Sequence, residues 1–166
     1  SCMIDGPSQF DFYSGGGLDI AVLGFGEVNA AGDVNVSKLG GNTVGPGGFI
    51  DIAQNARKVV FCGTFDTGGT RLETGDGNLR VTSHGRIRKL VEKVDQITFS
   101  GPQASVRGQH VIYVTERAVF ELREDGVHLV EIAPGIDLQA DVLDRMGFTP
   151  RMGSPLLEMT SGLFKE

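Results

Sequence analysis

A chain of 166 residues, 40% hydrophobic and 22% charged, has the balance of one globular domain or of one part of a larger protein. Its net charge of −6 argues against a nucleic-acid surface, because the one basic cluster, Arg86-Ile87-Arg88-Lys89, is followed at once by Glu92 and Asp95 and reads as a solvated face. No apolar run approaches the ~18 residues needed to cross a bilayer and no signal peptide is visible. The two cysteines, Cys2 and Cys62, form no disulfide framework and fit a reducing, cytoplasmic setting.

Taken in chain order, residues 1–14 read as an irregular lead-in with Pro7, Phe10, Phe12 and Tyr13, and a chain opening this way without Met reads as part of something longer. Gly15-Gly16-Gly17 is a turn. Leu18 to Leu23 is a nearly continuous apolar run, the pattern of a strand covered on both faces. Glu27-Val28-Asn29 and Val34-Asn35-Val36 flank Ala30-Ala31-Gly32-Asp33 as a hairpin. Then comes the most distinctive segment, Gly40 to Asp51, a glycine-dense loop running into a helical pattern with Phe49, Ile50, Ile52, Ala53 and Ala56 on one face. Lys58 to Cys62 is a second buried strand, with Cys62 as a small buried hydrophobe. Strand, loop, helix and strand in this order predict an α/β layer.

Further on, Gly75-Asp76-Gly77 is a turn, and Leu79 to Ser83 and Arg86 to Leu90 flank His84-Gly85 as a hairpin. Gln96 to Phe99 is a strand candidate. Val111 to Thr115, Ala118 to Leu122 and Val127 to Ile132, joined by Glu116-Arg117 and Glu124-Asp125-Gly126, form a β-meander. Asp137 caps a helix from Leu138 to Met146, with Leu138, Val142, Leu143 and Met146 buried and Gly147 ending it. The tail from Thr149 reads as irregular. No internal repeat or linker divides the chain.

The chemistry on offer is sparse. His84, His110 and His128 lie in or beside turns and read as surface residues without a metal-ligand spacing. Asp66, Asp76 and Asp125 suit turns, and Glu116 and Arg117 suit a structural ion pair. Gly45-Pro46-Gly47-Gly48 is neither a Walker A loop nor a dinucleotide fingerprint. It is either a tight connection or a site where backbone N–H groups meet an oxyanion or carbonyl oxygen, because few side chains guard it and a helix start leaves donors unpaired.

Three ordered segments carry a resemblance. Gly15 to Gly24, Gly45 to Asp51 and Thr115 to Phe120 resemble the C-terminal half of the family I CoA-transferases, and the likeness runs from about Phe10 to about Phe148. The branch it resembles is the acetate/propionate CoA-transferases of broad short-chain specificity; succinyl-CoA:3-ketoacid CoA-transferase is a more distant relative. The resemblance implies an α/β fold, an open-sided Rossmann-like layered sheet with an appended β-meander. It implies transfer of CoA from an acyl-CoA to a free carboxylate, in ping-pong fashion, through a glutamyl-CoA thioester. It places the backbone oxyanion and acyl site at Gly48 with Gly47 beside it, and contacts to CoA at Gly45, Gly48, Thr67 and Gly68.

Two departures stand out. The family's nucleophilic glutamate lies upstream of Gly15, in a glutamate-glycine motif that this chain does not contain, so residues 1–166 read as a C-terminal segment lacking the upstream half. Several relatives also carry a CoA-contacting lysine where this chain has Thr67, so no electrostatic grip on CoA is expected at that position. The implied partners are acyl-CoA and short-chain carboxylates as substrates, the upstream half or a partner subunit, and a second copy in a homo-oligomer. No permanent cofactor, metal, nucleic acid or membrane is expected. The competing readings are a non-catalytic structural or CoA-binding module of the same fold, and a sugar-phosphate isomerase, which needs an acid/base carboxylate pair that the chain does not display.

Overall fold

The computed structural model describes residues 3–165; the expectations for Ser1 and Cys2 fall outside the described residues. Where an irregular lead-in was expected, the chain forms helix α1 (Gly6–Ser14). Asp5 caps it, accepting the Ser8 N–H at 2.8 Å, and Pro7 occupies the first turn, where its missing N–H removes no helical bond. The helix buries none of its residues, so no apolar stripe marks it in the sequence.

After the glycine turn come β1 (Ile20–Gly24), β2 (Glu27–Val28), β3 (Val34–Asn35), β4 (Lys38–Leu39) and β5 (Asn42–Thr43). Helix α2 (Phe49–Asn55) follows the glycine loop and leads into β6 (Lys58–Cys62). Next are β7 (Asp66–Thr67), β8 (Arg71–Gly75), β9 (Asn78–Ser83), β10 (Ile87–Arg88) and helix α3 (Gly101–Val106). The meander is β11 (His110–Val114), β12 (Ala118–Arg123) and β13 (Gly126–Ile132), and β14 (Arg151–Glu158) closes the chain.

One six-stranded sheet organises these elements in the order β1-β6-β11-β12-β13-β14. β1, β6 and β11 are parallel, β12 and β13 turn back antiparallel, and β14 lies parallel to β13. This is the mixed α/β sheet with an appended meander that the sequence led us to expect. Cross-strand registers put Ala21, Val59 and Val111 in one row, and Leu23, Phe61, Tyr113, Phe120 and Leu129 in the next, all on one face. On that face the Phe61 ring stacks between Phe49 of α2 at 5.7 Å and Tyr113 at 5.5 Å, and meets Phe99 edge-on at 5.1 Å.

The opposite face is open, against the expectation of strands covered on both sides. Ile20 and Val22 are 52% and 63% exposed, and Cys62 is exposed rather than buried. Val60 and Ile112, their row-mates, are half-buried. The runs look doubly covered in sequence because the alternate, outward positions are themselves apolar.

Local turn chemistry corrects two further expectations. Asp76 and Gly77, at φ 53° and 79°, form a two-residue turn that pairs β9 back onto β8. The hairpin expected around His84-Gly85 therefore does not form; β10 pairs with β7 instead. A Cβ at Gly85 would overlap the Thr67 carbonyl, so glycine there permits the close passage of the chain over β7. Gln96 to Phe99 makes no strand, only a bridge from Phe99 to Val34.

The last helix is also altered. Asp137 does cap it, accepting the Ala140 N–H at 2.7 Å, but a π turn (Leu138–Val142) and a 3-10 turn (Leu143–Arg145) replace the α-helix. The Asp141 carbonyl accepts a bond from the Arg117 guanidinium at 3.1 Å and so stands outside the regular ladder. Val142 and Met146 are buried as expected, with Leu138 packed partly against the core. Gly147 is no helix cap; it passes against Val91 and Glu92, where a Cβ has no room. The tail is the eight-residue strand β14, and its edge position tolerates Pro155.

Candidate active site

Three parallel strands end side by side, and their carboxyl-end loops converge. These are Phe25-Gly26 after β1, Gly63 to Phe65 after β6 and Thr115 to Arg117 after β11. In open α/β sheets this is where ligands bind. Arg117 ties the loops together. It is fully buried, with Nε 3.0 Å from Glu116 Oε1 and a terminal nitrogen 3.2 Å from Asp66 Oδ1. Its other terminal nitrogen donates to the Asp141 carbonyl and to His84 Nδ1 at 3.3 Å. The second Glu116 oxygen accepts the Phe65 N–H at 2.8 Å. The expected Glu116–Arg117 pair is thus present as part of a larger knot.

Sequence reasoning missed the rest of that knot. Asp66 is buried, not a plain turn residue, and Thr70 donates to it at 2.5 Å. His84 Nδ1 accepts from Arg117, which leaves Nε2 to donate toward Asp141 Oδ1 at 3.4 Å. His128 is also buried, 2.7 Å from Asp125, and the bond from its ring holds the Asp125 carboxyl below the usual range. Only His110, half exposed beside Glu121 at 3.2 Å, fits the surface reading. Among the described residues no group of three or more metal-ligating side chains comes together.

The glycine loop is held from one side. The Ser37 carbonyl accepts the Val44 and Gly45 N–H groups at 2.8 and 3.1 Å, so the Gly45 amide is already occupied. Gly45 and Gly47 take φ +86° and +53°, which favours glycine at both. Gly48, at φ −83°, is the residue before α2. Among the described residues neither the Gly47 nor the Gly48 N–H donates to a protein acceptor. The crowding at Gly48 is internal: a Cβ there would lie 2.7 Å from the Phe10 ring of α1.

Thr67 and Gly68 lie elsewhere. Thr67 lines a groove of about 460 Å³ with Gly26, Leu39, Thr64, Ile87 and Lys89, and none of Gly45, Gly47 and Gly48 lines it. The Gly68 carbonyl accepts both the backbone and the Nε of Arg86, at 3.3 and 3.1 Å, which closes the β7–β10 ribbon. The β4–β5 hairpin runs from the groove at Leu39 and Gly40 toward the glycine loop. The structure therefore gathers the sequence candidates into two places, the loop and the groove.

No protein-family profile matches the chain. Acetate CoA-transferase YdiF of Escherichia coli O157:H7 is 51% identical over 162 residues, which are 98% of this chain and 30% of that protein. Caffeate CoA-transferase of Acetobacterium woodii is 51% identical over 168 residues, again 98% of this chain and 32% of the relative. The crystal structure of the E. coli O157:H7 acyl-CoA transferase YdiF, a thioester complex with CoA, superposes with a TM-score of 0.96 at 50% identity, covering 98% of this chain and 32% of that one. The chain spans about a third of the length of the relatives it matches. No helix among the described residues is long and apolar enough to cross a membrane. Over nearly its whole length, the chain is similar in sequence and fold to one part of these proteins, which are family I CoA-transferases.

Proposed function

We propose that this chain is the C-terminal portion of a short-chain acyl-CoA:carboxylate CoA-transferase of the acetate, propionate and acetoacetate type. The single observation behind this reading is 51% identity to an acetate CoA-transferase over 98% of the chain. In it, a glutamate outside this chain attacks the acyl-CoA thioester and carries CoA as a glutamyl thioester. Each acyl exchange passes through an oxyanion, and the unoccupied N–H groups of Gly48 and Gly47 are the donors for it. Gly45 shapes the loop, and Thr67 and Gly68 border the path of CoA. The upstream half or a partner subunit supplies the other wall, CoA enters as a substrate, and the assembled enzyme is a cytoplasmic homo-oligomer.

The test is to incubate the intact protein with acetyl-CoA, reduce with borohydride and map the peptides. Reduction of a glutamate outside residues 1–166 is the expected result. No modified glutamate in a folded, complete protein overturns the transferase reading. Sedimentation of the same sample reads its oligomeric state.

A further inference from the structure

Lys89 has no anion. Its side chain is half-buried, its Nζ lies 4.0 Å over the Phe25 ring, and among the described residues it has neither a hydrogen-bond acceptor nor a carboxylate within 4 Å. Glu116, the acid whose charge acts on it, is already engaged through one oxygen by Arg117 and through the other by the Phe65 N–H. Burial pushes the Lys89 ammonium below its ordinary value, with Glu116 opposing. The chain makes room for this cation: a Cβ at Gly63 would lie 2.7 Å from Nζ. The backbone also fixes it, since the Lys89 carbonyl accepts the Val28 N–H at 2.8 Å and Leu90 beside it is buried. A half-buried cation left without a counterion lowers stability unless a ligand completes it.

The groove that Lys89 lines is mostly apolar, with Leu39 and Ile87 as its large side chains. We propose that Lys89 anchors the carboxylate of an organic monoacid whose hydrocarbon chain lies along Leu39 and Ile87. Of the two cations that line it, Arg88 turns a terminal nitrogen to the Asp144 carbonyl at 3.3 Å, which leaves the Lys89 ammonium between apolar walls to meet a monoanion. A phosphate dianion demands several donors at once, and the Glu27 carboxylate on the groove's rim disfavours a polyanion. Lys89 thus supplies, from the β10 side, a cation in the groove that Thr67 also lines and where the sequence offered none. The inference rests on the transferase reading for the identity of the acid as acceptor or product, but the groove's chemistry stands on its own geometry.

The experiment is an NMR titration of the chain labelled at lysine, with acetate, butyrate and hexanoate, and separately with inorganic phosphate and pyrophosphate at matched ionic strength. We expect a saturable shift at the Lys89 Cε and Nζ signals with the carboxylates, tighter for hexanoate than for acetate, and an upward move of the Lys89 titration midpoint. Lys89→Met weakens binding by about tenfold or more, and Lys89→Arg retains it. No saturable shift in the wild-type chain overturns the inference, whether or not Lys89→Met folds. So does undiminished binding to Lys89→Met. Tighter binding of pyrophosphate than of hexanoate also overturns it, and assigns the groove to the phosphates of CoA. Carboxylate binding without borohydride trapping leaves the inference intact and ends the transferase reading; the reverse pair of results does the opposite.

Discussion

Arg117 is the largest fully buried side chain among the described residues; every hydrogen bond it makes goes to a polar group, and its guanidinium lies 4.6 Å over the Phe65 ring. Replacing it with Met leaves the carboxylates of Asp66 and Glu116 facing each other without a cation, so a loss of about 3–5 kcal/mol in denaturant unfolding is expected. Tyr113, also fully buried, donates to the Gly32 carbonyl at 2.6 Å. Burial, together with the nearby Asp33 charge, drives its phenol far above the ordinary value. Above about pH 10 the unfolded chain releases this proton while the native state keeps it, so the native state binds more protons and stability falls as pH rises. Tyr113→Phe flattens that alkaline fall in pH-dependent melts, and at neutral pH costs about 1–3 kcal/mol for the orphaned carbonyl. At Gly48, Val is expected to abolish turnover of the intact enzyme with the fold retained. Because the Cβ meets Phe10 and alanine keeps the backbone N–H, the control is Gly48→Ala with Phe10→Ala; wild-type turnover in that double variant shows that no substrate group packs against the Gly48 Cα. Adjacency made the Glu116–Arg117 pair legible in the sequence. Asp66, His84 and Asp141 stand 51, 33 and 24 residues from Arg117, and nothing local announces contacts over such distances.

Elements were legible where period and turn chemistry agreed. β1, β6, β11, β12 and β13 stand out as β-branched runs between turns, and α2 follows from the spacing of Phe49 and Ala53. α1 and α3 were not, since each is short and owes its start to a cap, Asp5 or Ser100, rather than to an apolar stripe. β14 was hidden by Pro155 and by a pairing with β13 that only the tertiary fold supplies. Two strand valines separate the sheet's faces. Val59→Lys, at a position with no exposure, is expected to cost at least about 3 kcal/mol, whereas Val22→Lys, at 63% exposure, stays within about 0.5 kcal/mol. Equal losses in urea unfolding contradict the one-sided sheet.

At the scale of the molecule, the polar groups that could meet a ligand cluster at the carboxyl ends of β1, β6 and β11, while the amino ends carry structural ties such as Gln109 to the Ala53 carbonyl at 2.7 Å. The fold class was readable because the order of elements constrains a sheet. The separation of glycine loop and Lys89 groove was not, because both depend on how the short ribbons fold over the strand ends. β1 ends the sheet, and its outer backbone edge, flanked by Ile20 and Val22, faces no further strand among the described residues. Such an edge is a template for growth. A concentrated solution of the chain by itself is therefore expected to build elongating cross-β assemblies, seen as thioflavin fluorescence that rises with concentration and is suppressed by Val22→Lys. A chain that stays dark at every concentration shows that this edge is closed in solution.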